Sequence, residues 1–115
     1  MTFELVDLQE LGAKALRDFH DCVEKNRPGN CNNFDESVAG LVGKVQFAYG
    51  VAAKLAHREQ TLEGTAAIWA KMVAICDDIA REVKDLGQDH PSCKASFDRI
   101  LDYRNEAEKR RDLHS

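Results

Sequence analysis

A basic excess is missing from this sequence: 16 lysines and arginines face 20 aspartates and glutamates, for a formal net charge of −4. A dedicated nucleic-acid binder needs a basic face to neutralise phosphates, so no nucleic-acid partner is expected. Long apolar runs are missing too. Nothing approaches the ~20 apolar residues that span a bilayer, and no membrane role is expected. Met1-Thr2-Phe3-Glu4 has neither the basic start nor the apolar stretch of a signal peptide. The expectation is a cytoplasmic protein whose four cysteines, Cys22, Cys31, Cys76 and Cys93, stay reduced. No C-x-x-C pair, Walker loop, dinucleotide fingerprint or Gly-x-Ser-x-Gly elbow occurs, so no familiar enzyme signature is present.

What is there is enough apolar material for one core, 43% of 115 residues, arranged with helical spacing. No stretch alternates with period two for long. Leu8, Leu11, Ala15, Phe19 and Cys22 form one stripe, with Lys14, Arg17, Asp21 and Glu24 on the far side. This predicts a first helix over about 6–25. Asn26 to Asn33, with Pro28, Gly29 and four asparagines, is turn chemistry. Asn33, followed three residues on by Glu36, predicts the start of a second helix over about 34–60. Its main face is Val38, Leu41, Val42, Val45, Tyr49, Ala52, Leu55 and Ala56.

A break near Thr61 to Thr65, carrying Gly64, predicts a third helix over about 65–86 with Trp69, Met72, Val73, Cys76, Ile79, Ala80 and Val83 inward. Gly87 suits the position after a helix, and Pro91 the first turn of a fourth. That helix is expected over about 91–110, striped by Cys93, Phe97, Ile100, Leu101 and Ala107, with a charged, fraying end. Short connections between helices of similar length imply one domain, residues 1–115, folded as an all-α, antiparallel, up-down-up-down four-helix bundle.

The second helix carries an oddity. Gly40, Gly43, Phe47, Gly50 and Val51 fall opposite its main apolar face at roughly 100° per residue. An interior glycine costs about 1 kcal/mol of helix propensity relative to alanine. Three in one helix call for a reason, and close approach of another backbone is a good one. The sequence therefore reads first as a non-enzymatic interaction protein that self-associates through this face, as a homodimer, with room for a further protein partner. The alternative within one subunit is that the N-terminal tail or the end of the fourth helix covers the face.

Other readings stay open. In an up-down-up-down bundle, the end of helix 1 and the start of helix 4 share an end, which would gather His20, Cys22, Cys31, His90 and Cys93. Thiolate and imidazole are zinc ligands, while buried cysteines also serve as small hydrophobes; no cofactor is expected, with zinc the one alternative. Arg104, with Tyr103 beside it, lies in line with Phe97, Ile100 and Leu101, so it must be paired, reach water past apolar neighbours, or meet a ligand carboxylate or phosphate. No histidine has the Glu-x-x-His spacing of a di-iron bundle.

Two segments carry a resemblance. Asp78, Glu82 and Asp85 resemble half of the magnesium-binding acidic pattern of MazG-type nucleotide pyrophosphohydrolases, which would imply carboxylates pointing inward. Here Arg81 and Lys84 are interleaved, as on a solvated face. Gln60-Thr-Leu-Glu-Gly-Thr-Ala-Ala67 resembles the phosphate-accepting segment of histidine phosphotransfer domains, but Gln60 stands where the histidine would be and Glu63 where the lysine would be. The nearest imidazole, His57, is one turn earlier.

Overall fold

A computed structural model describes the backbone of residues 5–25, 31–86 and 93–114, and the side chains of residues 8–21, 24, 36–84 and 93–114. The described residues form four α-helices and no strand: α1 (Leu5–Lys25), α2 (Cys31–Glu59), α3 (Leu62–Leu86) and α4 (Lys94–His114). They pack as a helical bundle of 49 × 26 × 15 Å. At 1.5 Å per residue, the 29 residues of α2 alone run about 43 Å, most of the long dimension.

The cross-section follows from which helices touch. α2 and α3 pack on each other, and both α1 and α4 pack on each of them. Among the described residues α1 and α4 do not meet. The α2–α3 pair is therefore the spine, flanked by α1 on one side and α4 on the other. This explains why α3 is apolar around so wide an arc: Ile68, Trp69, Met72, Val73, Ile75, Cys76, Ile79, Ala80 and Val83 are all buried. α1 contributes Leu8, Ala15 and Phe19, and α4 contributes Ile100 and Ala107. A Cβ at Gly12 would lie 2.8 Å from Ile75 Cγ2, so this glycine lets α1 sit close on α3.

Three boundaries differ from expectation. The break between α2 and α3 is two residues, Gln60 and Thr61, rather than a loop reaching Thr65. Gln60 takes a left-handed backbone, φ 53°, and its amide donates to the Ala56 carbonyl at 3.3 Å, closing α2 in the manner usually left to glycine. Thr61 then caps α3: its hydroxyl accepts from the Gly64 amide at 3.3 Å, and its carbonyl from the Thr65 amide at 3.0 Å. Gly64 is thereby drawn into the first turn of α3 and out of the connection.

α4 also continues to His114 instead of ending near residue 110. Its charged end is stitched by Arg110 to Glu106 at 3.2 Å and Arg111 to Glu108 at 3.9 Å, and anchored by the fully buried Ala107. Basic Arg111 and His114 in the last turn complement the helix dipole. α2 begins at Cys31, two residues ahead of the cap expected at Asn33. The expected roles of Gly87 and Pro91 lie outside the described residues.

Candidate functional site

The outer face of α2 is the first candidate. Gly40, Gly43 and Gly50 are exposed, and Phe47 keeps 60% of its surface open. A Cβ built on any of the three glycines would meet nothing within 4 Å among the described residues. Neither the end of α4 nor any other described element covers this face. Val51, expected on the same surface, is instead 3% exposed and belongs to the core border, as does Ala48. The face is thus four exposed residues, spaced 3, 4 and 3 apart: three glycines and one aromatic ring. Lys44 beside it is tied to Asp18 of α1, and that hydrogen bond holds the Asp18 carboxyl below its usual range.

The cysteine and histidine end is only partly within the described residues. His20 is exposed and lies 3.4 Å from Glu82 of α3, while Cys93 is buried at the start of α4. The side chains of Cys22 and Cys31, and all of His90, lie outside the described residues. Among the described residues no three His, Cys, Asp or Glu side chains are grouped to hold a metal ion. Cys76, deep in α3, has its thiol pushed up to about 12 by burial, which makes it a hydrophobe rather than a nucleophile.

Arg104 sits at the α3–α4 seam. Its Nε donates to Asp77 Oδ1 at 2.8 Å, and its Nη1 is paired with Glu108 one turn along α4. With 29% of the side chain exposed, Arg104 is partly buried on the helix face that carries Ile100 and Ala107, and two carboxylates neutralise its head. Tyr103 packs on Tyr49, ring centroids 5.4 Å apart. Tyr49 in turn lies 5.3 Å from Trp69, and burial raises its phenol above the usual value.

That aromatic row leads to a feature sequence reasoning missed. Arg110 lies over the Trp69 ring at 4.9 Å and over Tyr49 at 5.5 Å, stacking the end of α4 across α2 and α3. Beside it a cleft of about 680 Å³ opens between the end of α2, the start of α3 and the end of α4, with His57, Gln60, Thr61, Leu62, Trp69, Glu106, Arg110, Leu113 and His114 in its lining. The volume is that of a small-molecule site. Its signal in the sequence was faint: Arg110 falls two turns beyond Tyr103, in a run that reads as a solvated charged end.

The acidic residues of α3 do not converge among the described residues. Asp78 is exposed and paired with Arg81 at 3.1 Å, Glu82 faces His20, and the side chain of Asp85 is outside the described set. His57 and Gln60 both reach the cleft, with Thr61 beside them. No protein-family model matches the chain, and neither a curated protein nor a solved structure does.

Proposed function

We propose that this protein is a non-enzymatic helical interaction protein that pairs with a second copy of itself through the outer face of α2. The observation that carries the proposal is the open space over Gly40, Gly43 and Gly50. Each glycine lowers helix propensity by about 1 kcal/mol, and none of the three allows a close contact among the described residues. Gly12 supplies the contrast, because there a Cβ would strike Ile75. A surface that keeps three helix-weakening residues around an exposed phenylalanine is suited to receive another backbone.

A two-fold pairing fits the spacing. Gly43 lies four residues before Phe47 and Gly50 three after it, so two α2 helices crossing near Phe47 would each offer a ring to the other's glycine groove. The seam is self-complementary, as an isologous interface requires. This reading includes an up-down-up-down path for the chain. Supporting it, Gly12 and His20 of α1 neighbour Ile75 and Glu82 of α3 in the same order, whereas Arg104 and Arg110 of α4 neighbour Asp77 and Trp69 in the opposite order. No helix among the described residues is long and apolar enough to cross a membrane. A reducing cytoplasm suits the buried Cys76 thiol and completes the reading.

The test is sedimentation velocity of the wild type and Phe47→Glu over a hundredfold range of concentration. The expected result is a dimer that Phe47→Glu converts to monomer with unchanged helicity. A wild type that stays monomeric at the highest concentration overturns the proposal.

A further inference from the structure

We propose that the cleft at the α2–α3 turn is a binding site for a small apolar anion, an aromatic or aliphatic body ending in a carboxylate, sulfonate or phosphate group. Two independent features of the lining define that ligand. The first is the supply of donors. His57 from α2 and His114 from α4 have no hydrogen-bond or ion-pair partner among the described residues. Arg110 gives only its Nε to Glu106, at 3.2 Å, and keeps 41% of its side chain open. Glu106 is the one acidic residue among the lining, and that bond already engages it. Three side chains with unspent donor capacity, the Arg110 guanidinium among them, thus line the cleft, and its one carboxylate is already engaged. Gln60 and Thr61 add only neutral acceptors, so an anionic ligand would supply the charge that the lining lacks.

The second feature is apolar. Described residues include only three large hydrophobic side chains that are strongly exposed, and two of them, Leu62 at 69% and Leu113 at 77%, border this cleft. Trp69 forms the floor, pinned under the Arg110 guanidinium. A ligand body lying between Leu62 of α3 and Leu113 of α4 would cover both while its head meets Arg110 and the imidazoles. The cationic wall is preorganised, since the Arg110 stack on Trp69 fixes the guanidinium before any ligand arrives. The α3 N-terminus adds little, because the Thr61 hydroxyl and the Glu59 carboxylate already lie against its first turn at Gly64.

The molecule carries its own reporter, because Trp69 is the only tryptophan. The probes are 8-anilinonaphthalene-1-sulfonate and its uncharged counterpart N-phenyl-1-naphthylamine, titrated into the full chain while energy transfer from Trp69 is followed. The expected result is saturable transfer at one dye per chain, with the sulfonate bound at least tenfold more tightly. Arg110→Gln should remove that preference and leave the uncharged dye unaffected. Leu62→Gln combined with Leu113→Gln, both on exposed positions, should weaken both dyes tenfold or more without altering the far-UV spectrum. Phe47→Glu should change neither, which separates this site from the α2 face. Equal affinity for the two dyes, absence of saturable transfer, or loss of binding in Phe47→Glu would overturn the proposal.

Discussion

Replacing Gly40, Gly43 and Gly50 together by alanine should make the isolated subunit more stable and the assembly weaker. Among the described residues a Cβ at each position enters open space, so no contact there opposes the change. Helix propensity then contributes about 1 kcal/mol per site, or about 3 kcal/mol for the triple variant. In a domain of this size each 1 kcal/mol moves Tm by about 4 °C, which puts the triple variant about 12 °C higher. Urea unfolding at submicromolar protein isolates this effect, because dilution removes any stabilisation by a partner. The same variant should lose self-association at high concentration, since three methyl groups hold the two backbones apart. Gly12→Ala is the matched control. Its Cβ would sit 2.8 Å from Ile75 Cγ2 and 3.0 Å from Cγ1, and overpacking of about 1–3 kcal/mol outweighs the propensity gain. A triple variant no more stable than wild type in the dilute urea experiment would refute the reasoning, because it would mean the glycines serve the single subunit.

Gln60→Gly should raise stability by about 1 kcal/mol in urea unfolding, since glycine holds the left-handed backbone at φ 53° without the Cβ penalty. Thr61→Ala should cost about 1 kcal/mol by the same assay, through loss of the cap on the Gly64 amide. Trp69→Ala, at a site 2% exposed, should cost about 3–5 kcal/mol and release Arg110 from its stack, measured by calorimetry. Burial raises the Cys76 thiol to about 12 in the fold, so above pH 9 the unfolded chain loses a proton that the native chain keeps. Its contribution is complete below pH 9 and falls by about 1.4 kcal/mol per pH unit between pH 9 and 12. Unfolding free energy measured from pH 8 to 11 should therefore drop less steeply in Cys76→Ala.

The sequence by itself determined the class of fold and most of the core. Helical spacing is a local property, and burial of Phe19, Val38, Val45, Met72, Ile79 and Ile100 follows from it wherever the helices go. The glycine face of α2 was legible for the same reason, because four positions 3, 4 and 3 apart share one side of any helix. Val51 departs from that face and is buried, since one position of angular difference decides between surface and core at the border of a stripe, and only the neighbouring helices set that border. The α2–α3 connection is shorter than the break expected near Thr61 to Thr65, because Gln60 takes a left-handed backbone that nothing in its residue type announces. The cleft had only a faint local signature, Arg110 two turns beyond Tyr103. It exists because His57, Trp69, Arg110 and His114, from three helices, are brought to one end of the bundle. Their spacing along the chain carries no period, and only the packing of α4 across the α2–α3 spine makes them neighbours.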